Sequence, residues 1–219
     1  MQVFCIAGFL CTISLKLPVQ NEGSKLIQLK NLTMEFGDQV LFRDVTMSFS
    51  DNVKYGIVGA NGSGKSTLLK IISGEMHQTS GEVDIPATRK ISFLRQNQFE
   101  FENCEILDVV LMGNEELWGL SQKKQELESK DKLTVAEGHA LADLEIQVNK
   151  LDGYTAAARA SVILKGLGFP TEQHRNKMST LSGGYKLRVL LAQCLYSAPD
   201  ILLLDEPNNH LDILSISWL

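Results

Sequence analysis

Between residues 25 and 50 the apolar side chains fall on alternate positions, the period of a strand with one buried face. Ile27, Leu29, Leu32, Met34 and Phe36 keep that period with one slip, and VTMSF at 45–49 keeps it without one. Each stretch predicts a strand. KYGIV at 54–58 is a short apolar run that leads straight into Gly59 and predicts a third. Behind it, STLLKIIS predicts a short buried helix that stops at Gly74, a residue type suited to a helix C-terminus. Strand, glycine-rich loop and helix follow in the order of a phosphate-binding unit.

The middle of the chain has another character. Residues 114–150 are rich in Glu, Lys and Gln. Thr134 and Glu137 have the spacing of a capping box. Leu141, Leu144, Val148 and Leu151 then recur at intervals of 3, 4 and 3, the narrow seam of a helix packed against one partner. A helical hairpin is expected. Its eight carboxylates outnumber its five lysines, so it is not a basic nucleic-acid-binding arm in bulk. A further helix is predicted over 155–167, ending at Gly168 ahead of Pro170. The last third returns to compact patterning, with a helix over 187–195, a break at Ala198-Pro199 and a fully buried strand in ILLLD at 201–205.

Composition changes this picture little. With 44% hydrophobic and 21% charged residues over 219 positions, the chain is long enough for a proper core. A net charge of −5 supplies no general attraction to nucleic acid or anionic membrane. Cys5, Cys11, Cys104 and Cys194 match no paired metal-ligand spacing and are too few for a disulfide scaffold, so a reduced, cytoplasmic setting is expected. The run VFCIAGFLCTISL at 3–15 is uncharged and too short to span a bilayer. It lacks the preceding Lys or Arg and the small-residue cleavage site of an export signal. A buried or disordered extension and an artefactual upstream start are the other readings of residues 1–25.

Three stretches carry chemistry. GANGSGKST at 59–67 matches G-x-x-x-x-G-K-[ST] through Gly59, Gly64, Lys65 and Ser66. In such a loop the backbone N–H groups of Gly59, Ala60, Asn61, Gly62, Ser63 and Gly64 turn inward on phosphate oxygens, with Thr67 on the helix behind them. Lys65 would reach the β- and γ-phosphates and the Ser66 hydroxyl would ligate Mg²⁺. In ILLLDEP, Asp205 ends an apolar strand and would be compensated there by Mg²⁺, while Glu206 would polarise or deprotonate the attacking water. Gln96, after the strand-like ISFL, is a candidate contact to Mg²⁺ and to that water. Phe36 either stacks on an adenine ring or fills the core of its sheet. Finally, LSGGYKLRVLLAQ at 181–193 opens a second helix with Ser182, Gly183 and Gly184. As the loop at 59–67 already grips phosphate, these three make sense as donors to a γ-phosphate held elsewhere; the plain alternative is a Ser helix cap.

These elements, in this order, resemble the nucleotide-binding domain of the ATP-binding cassette (ABC) superfamily over roughly residues 26–219. The resemblance implies an α/β, RecA-like P-loop NTPase core with an antiparallel β subdomain and a helical signature subdomain. It divides the chain into a leader at 1–25, the β subdomain and Walker A part at 26–96, a helical subdomain at 97–170 with its inserted arm at 114–150, and the signature, Walker B and D-loop at 171–219. It also implies ATP and Mg²⁺ as ligands. In that family two cassettes meet head to tail, each ATP lying between the Walker A loop of one and the signature motif of the other. Ser182, Gly183 and Gly184 would then complete a partner's site, and a single copy would hydrolyse ATP poorly.

Within the superfamily the chain is similar to the ABC-F type, soluble tandem-cassette ATPases that act on ribosomes. The resemblance rests on the 86 positions from Gln96 to Ser182, which leave room for an arm, on DEPNNHLD at 205–212, on KLRV with Arg188, and on GLGFP at 166–170. MGNEELWG and DLEIQVNKLDGY look like the YbiT-type bacterial members. Ribosome and tRNA are the partners this implies, without membrane insertion; the alternative is the motor subunit of a membrane transporter. The family's switch histidine lies on a strand after the Walker B helix. His210 is in the loop after Glu206 and does not match it, so the sequence reads as the front portion of a longer protein, or as a fragment.

Overall fold

The computed structural model describes residues 2–7, 25–51, 53–94 and 100–205. Along them the order is β1 (Gln2–Ala7), β2 (Lys25–Phe36), β3 (Gln39–Ser50), β4 (Tyr55–Val58), α1 (Lys65–Ile72), β5 (Ser80–Asp84), β6 (Ile91–Leu94), α2 (Ile106–Leu111), α3 (Glu115–Glu128), α4 (Val135–Lys150), α5 (Gly153–Gly166), α6 (Gly183–Tyr196) and β7 (Ile201–Leu204). The described residues form two compact units, one of residues up to 94 with 198–205 and one of 100–197.

The first unit holds two sheets. An antiparallel sheet has the order β3-β2-β5. Ile27, Leu29, Leu32 and Met34 of β2 are all buried, as the alternation predicts. The slip in that alternation is a bulge: the β2–β3 register shifts between Leu29 and Leu32, and Asn31 takes the left-handed φ of 50°. Thr46 Oγ1 locks it by accepting the Asn31 N–H at 3.0 Å and donating to Asn31 Oδ1 at 3.1 Å. Gly81 of β5 passes so close that a Cβ there would lie 2.4 Å from the Asn31 carbonyl oxygen. Only glycine fits.

The second sheet is wholly parallel, with the order β4-β1-β7-β6. All of β7 is buried, so its continuous apolar run is that of a strand covered on both faces. Gln2–Ala7 of the N-terminal run is a central strand here, pairing Phe4 with Tyr55 on one side and Gln2 with Ile201 on the other. The starts of β6 and β7 are tied by Asp200, whose carboxylate accepts the Lys90 N–H at 2.8 Å and an Arg89 N–H at 3.2 Å. Arg89 also donates to Asp51 at 3.1 Å. The Lys90 N–H, ahead of Arg89, holds the Asp200 carboxyl below the usual carboxylate range.

In the second unit α2, α5 and α6 pack on one another, burying Ile106, Val110, Ala160, Leu164, Val189 and Leu191. The six residues of α2 are too few for a period to register in the sequence. The predicted hairpin is α3 and α4, which pack together, and α4 also touches α5. Val148 of the predicted seam is buried, and Leu141, Leu144 and Leu151 are half-buried. Asn114 caps α3, its side chain accepting the Leu117 N–H at 3.2 Å. Thr134 and Glu137 make the expected reciprocal capping box on α4. Lys124 Nζ bridges the two helices to Glu145 at 3.2 Å.

Candidate nucleotide-binding site

The glycine-rich loop joins β4 to α1, and its geometry explains its residues. Gly64 caps α1 with a left-handed φ of 88°, and a Cβ there would sit 3.1 Å from the Phe42 ring. Backbone torsion and crowding both demand glycine. Lys65 is buried, its ammonium donating to the carbonyls of Gly59 and Ala60, each at 2.8 Å. An ammonium has three donors, so one remains for a phosphate oxygen. The Ser63 hydroxyl is buried and finds no partner among the described residues. Asn61 and Gly62 are exposed at the tip, while Ser66 and Thr67 are half-buried on the first turn of α1. Beside the loop, Phe42, Val45, Met47, Ile57 and Leu68 line a cavity of about 300 Å³ that Lys65 also borders. No motif announces that cavity, because it exists only where β3 lies against the loop.

Asp205 follows β7 directly. Its Oδ1 is buried and has no hydrogen-bond partner among the described residues. A buried carboxylate oxygen without a donor is the chemistry a hard divalent cation satisfies, so the surroundings of Asp205 Oδ1 fit a cation such as Mg²⁺. Among the described residues there is no cluster of three His, Cys, Asp or Glu side chains that would form an all-protein metal site. Gln96 and Glu206 lie outside the described residues, as does His210.

Phe36 ends β2 opposite Gln39 and is 51% exposed. The ring therefore does not fill the core of its sheet: at this hairpin end about half of it is left uncovered. At the head of α6, Ser182 occupies the N-cap position but makes no side-chain capping bond. The plain helix-cap reading thus lacks its defining contact. Ser182 and Gly183 are exposed and Gly184 half-buried. The nearby Lys186 ammonium is taken by an ion pair with Glu102. These residues stand in the second unit, Lys65 and Asp205 in the first.

Residues 42–209 match the family described as ABC transporter. The chain belongs to that family. This ABC cassette is similar to "Probable ATP-binding protein YbiT" of Escherichia coli O157:H7, with 47% identity over 189 residues, 86% of this chain and 36% of that protein. It is also similar to "ATP-binding cassette sub-family F member 3" of Pongo abelii, with 33% identity over 196 residues, 88% of this chain and 27% of that protein. These relatives are of the ABC-F type whose motifs the sequence resembles. The cassette spans about a third of the length of the curated relatives it matches. Among solved structures it resembles the ATP-binding subunit of an ABC transporter with a TM-score of 0.61 at 20% identity, over 88% of this chain and 71% of that one, a likeness of fold. No helix among the described residues is long and apolar enough to cross a membrane.

Proposed function

We propose that this cassette binds and hydrolyses ATP as part of a cytoplasmic ABC-F type protein acting on the ribosome, and that it works only when paired with a second cassette. The loop at 59–67 holds the triphosphate through its N–H groups and Lys65, and Phe36 offers an exposed ring to the adenine. Ser66, Asp205 and Gln96 hold Mg²⁺, which when bound neutralises charge on the phosphates. Glu206, one residue past Asp205, orients the attacking water and takes its proton. Ser182, Gly183 and Gly184 serve the γ-phosphate of the nucleotide held by the second cassette. Pairing of this kind also accounts for a chain that carries two phosphate-seeking helix starts.

The observation that carries the ribosomal assignment is the helical hairpin of Glu115–Glu128 and Val135–Lys150, inserted between β6 and the signature helix of a cassette similar to sub-family F proteins. ATP would close the cassettes and seat this arm near the ribosomal tRNA site, and hydrolysis would release it. The test is Glu206→Gln, with its counterpart in the second cassette, in the full-length protein. This variant should retain ATP and co-sediment with ribosomes. Recovery wholly in the ribosome-free fraction would overturn the ribosomal assignment.

A further inference from the structure

The signature turn has a mechanical weakness. The backbone of the turn is held where the Lys186 N–H donates to the Ser182 carbonyl at 2.9 Å. Ser182 makes no side-chain capping bond, however, and Gly183 and Gly184 carry no side chains, so no side chain of SGG anchors the turn that is to meet a phosphate. The first side chain able to do so is Tyr185. Its ring packs edge to face with Phe169, centroids 5.6 Å apart at 79°, and the Arg188 guanidinium lies 4.7 Å from its centroid. Phe169 is itself held on all sides: it is fully buried, its N–H donates to the Leu164 carbonyl at 3.0 Å, and its carbonyl accepts His174 Nε2–H at 3.0 Å. His174 is buried in turn, with Nδ1 3.1 Å from the Ser161 hydroxyl. Tyr185 nevertheless remains 43% exposed, as a purely core-filling aromatic would not.

We propose that Tyr185 is a positioning residue, whose ring, gripped by Phe169 and Arg188, fixes the direction in which Ser182, Gly183 and Gly184 present their hydroxyl and N–H groups to a nucleotide held by the second cassette. The inference rests on the pairing reading above. Both grips act on the ring and neither uses the phenol hydroxyl, so phenylalanine suffices at this position and alanine does not. The effect falls on the partner's ATP and not on the ATP held at Lys65, which separates it from a general loss of structure.

The experiment compares Tyr185→Ala, Tyr185→Phe and Ser182→Arg in the full-length protein, reading ATP affinity of this cassette by calorimetry and turnover under saturating ATP. Tyr185→Ala should lower kcat about tenfold or more while leaving the ATP affinity at Lys65 within about twofold, and Tyr185→Phe should restore kcat. Unchanged kcat in Tyr185→Ala would overturn the proposal, as would equal losses in the alanine and phenylalanine variants, or a parallel loss of ATP affinity. Ser182→Arg separates the two ideas. Turnover blocked by Ser182→Arg but not by Tyr185→Ala removes the positioning role alone, whereas turnover untouched by Ser182→Arg removes the pairing reading beneath it.

Discussion

The Lys65 ammonium donates to the Gly59 carbonyl across 2.8 Å, so the phosphate loop is closed upon its own lysine. The charge is buried and already oriented at the start of α1. Replacing it removes a charge-assisted hydrogen bond worth about 1.5–3 kcal/mol, and Lys65→Ala should weaken ATP binding by roughly 10- to 100-fold. Calorimetric titration with ATP measures this. An unchanged isotherm would remove the loop from the nucleotide site.

Gly64 and Gly119 should respond oppositely to alanine. At Gly64 the new Cβ meets a left-handed torsion and the Phe42 ring at 3.1 Å, and Gly64→Ala should cost about 1–3 kcal/mol of stability. At Gly119, inside α3, a Cβ meets nothing within 4 Å, and Gly119→Ala should stabilise by up to about 1 kcal/mol. Denaturant midpoints of the two variants should move in opposite directions.

Phe36 separates nucleobase from phosphate recognition. Because the ring is half exposed, Phe36→Ala should leave the melting temperature nearly unchanged. Loss of base stacking, worth about 1–3 kcal/mol, should weaken ATP by about tenfold. Inorganic tripolyphosphate should bind the variant as it binds the parent protein. An equal loss for both ligands would place the ring away from the base.

Glu137 gives the arm a defined pH response. Its carboxyl is held at about 2, from an ordinary 4.5, first by the Lys130 ammonium and then by the Thr134 N–H and hydroxyl. The folded value lies below the unfolded one, so the stabilisation is complete above pH 4.5 and disappears as pH falls towards 2. The first turn of α4 should fray over that window, and Glu137→Gln should fray it at neutral pH. Carbon-detected NMR titration of the side chain reads the midpoint directly. A midpoint near 4.5 would mean that the capping box does not form.

What could be read along the chain was whatever its neighbours in sequence enforce. The loop at 59–67, the buried strand before Asp205 and the seam from Leu141 to Leu151 each show in residues a few positions apart, because a helix turn, a pleat and a phosphate cradle are all built over such distances. The slip between Leu29 and Leu32 was visible too, but its meaning was not. That needed Gly81, fifty positions away, to pass beneath the Asn31 carbonyl. Tertiary structure alone left Phe36 half uncovered at a hairpin end, set Gln2–Ala7 between β4 and β7, and brought Phe169 against Tyr185. In each of these cases the deciding partner comes from another element, and a residue's own position in the pattern does not say which surface will arrive to cover it.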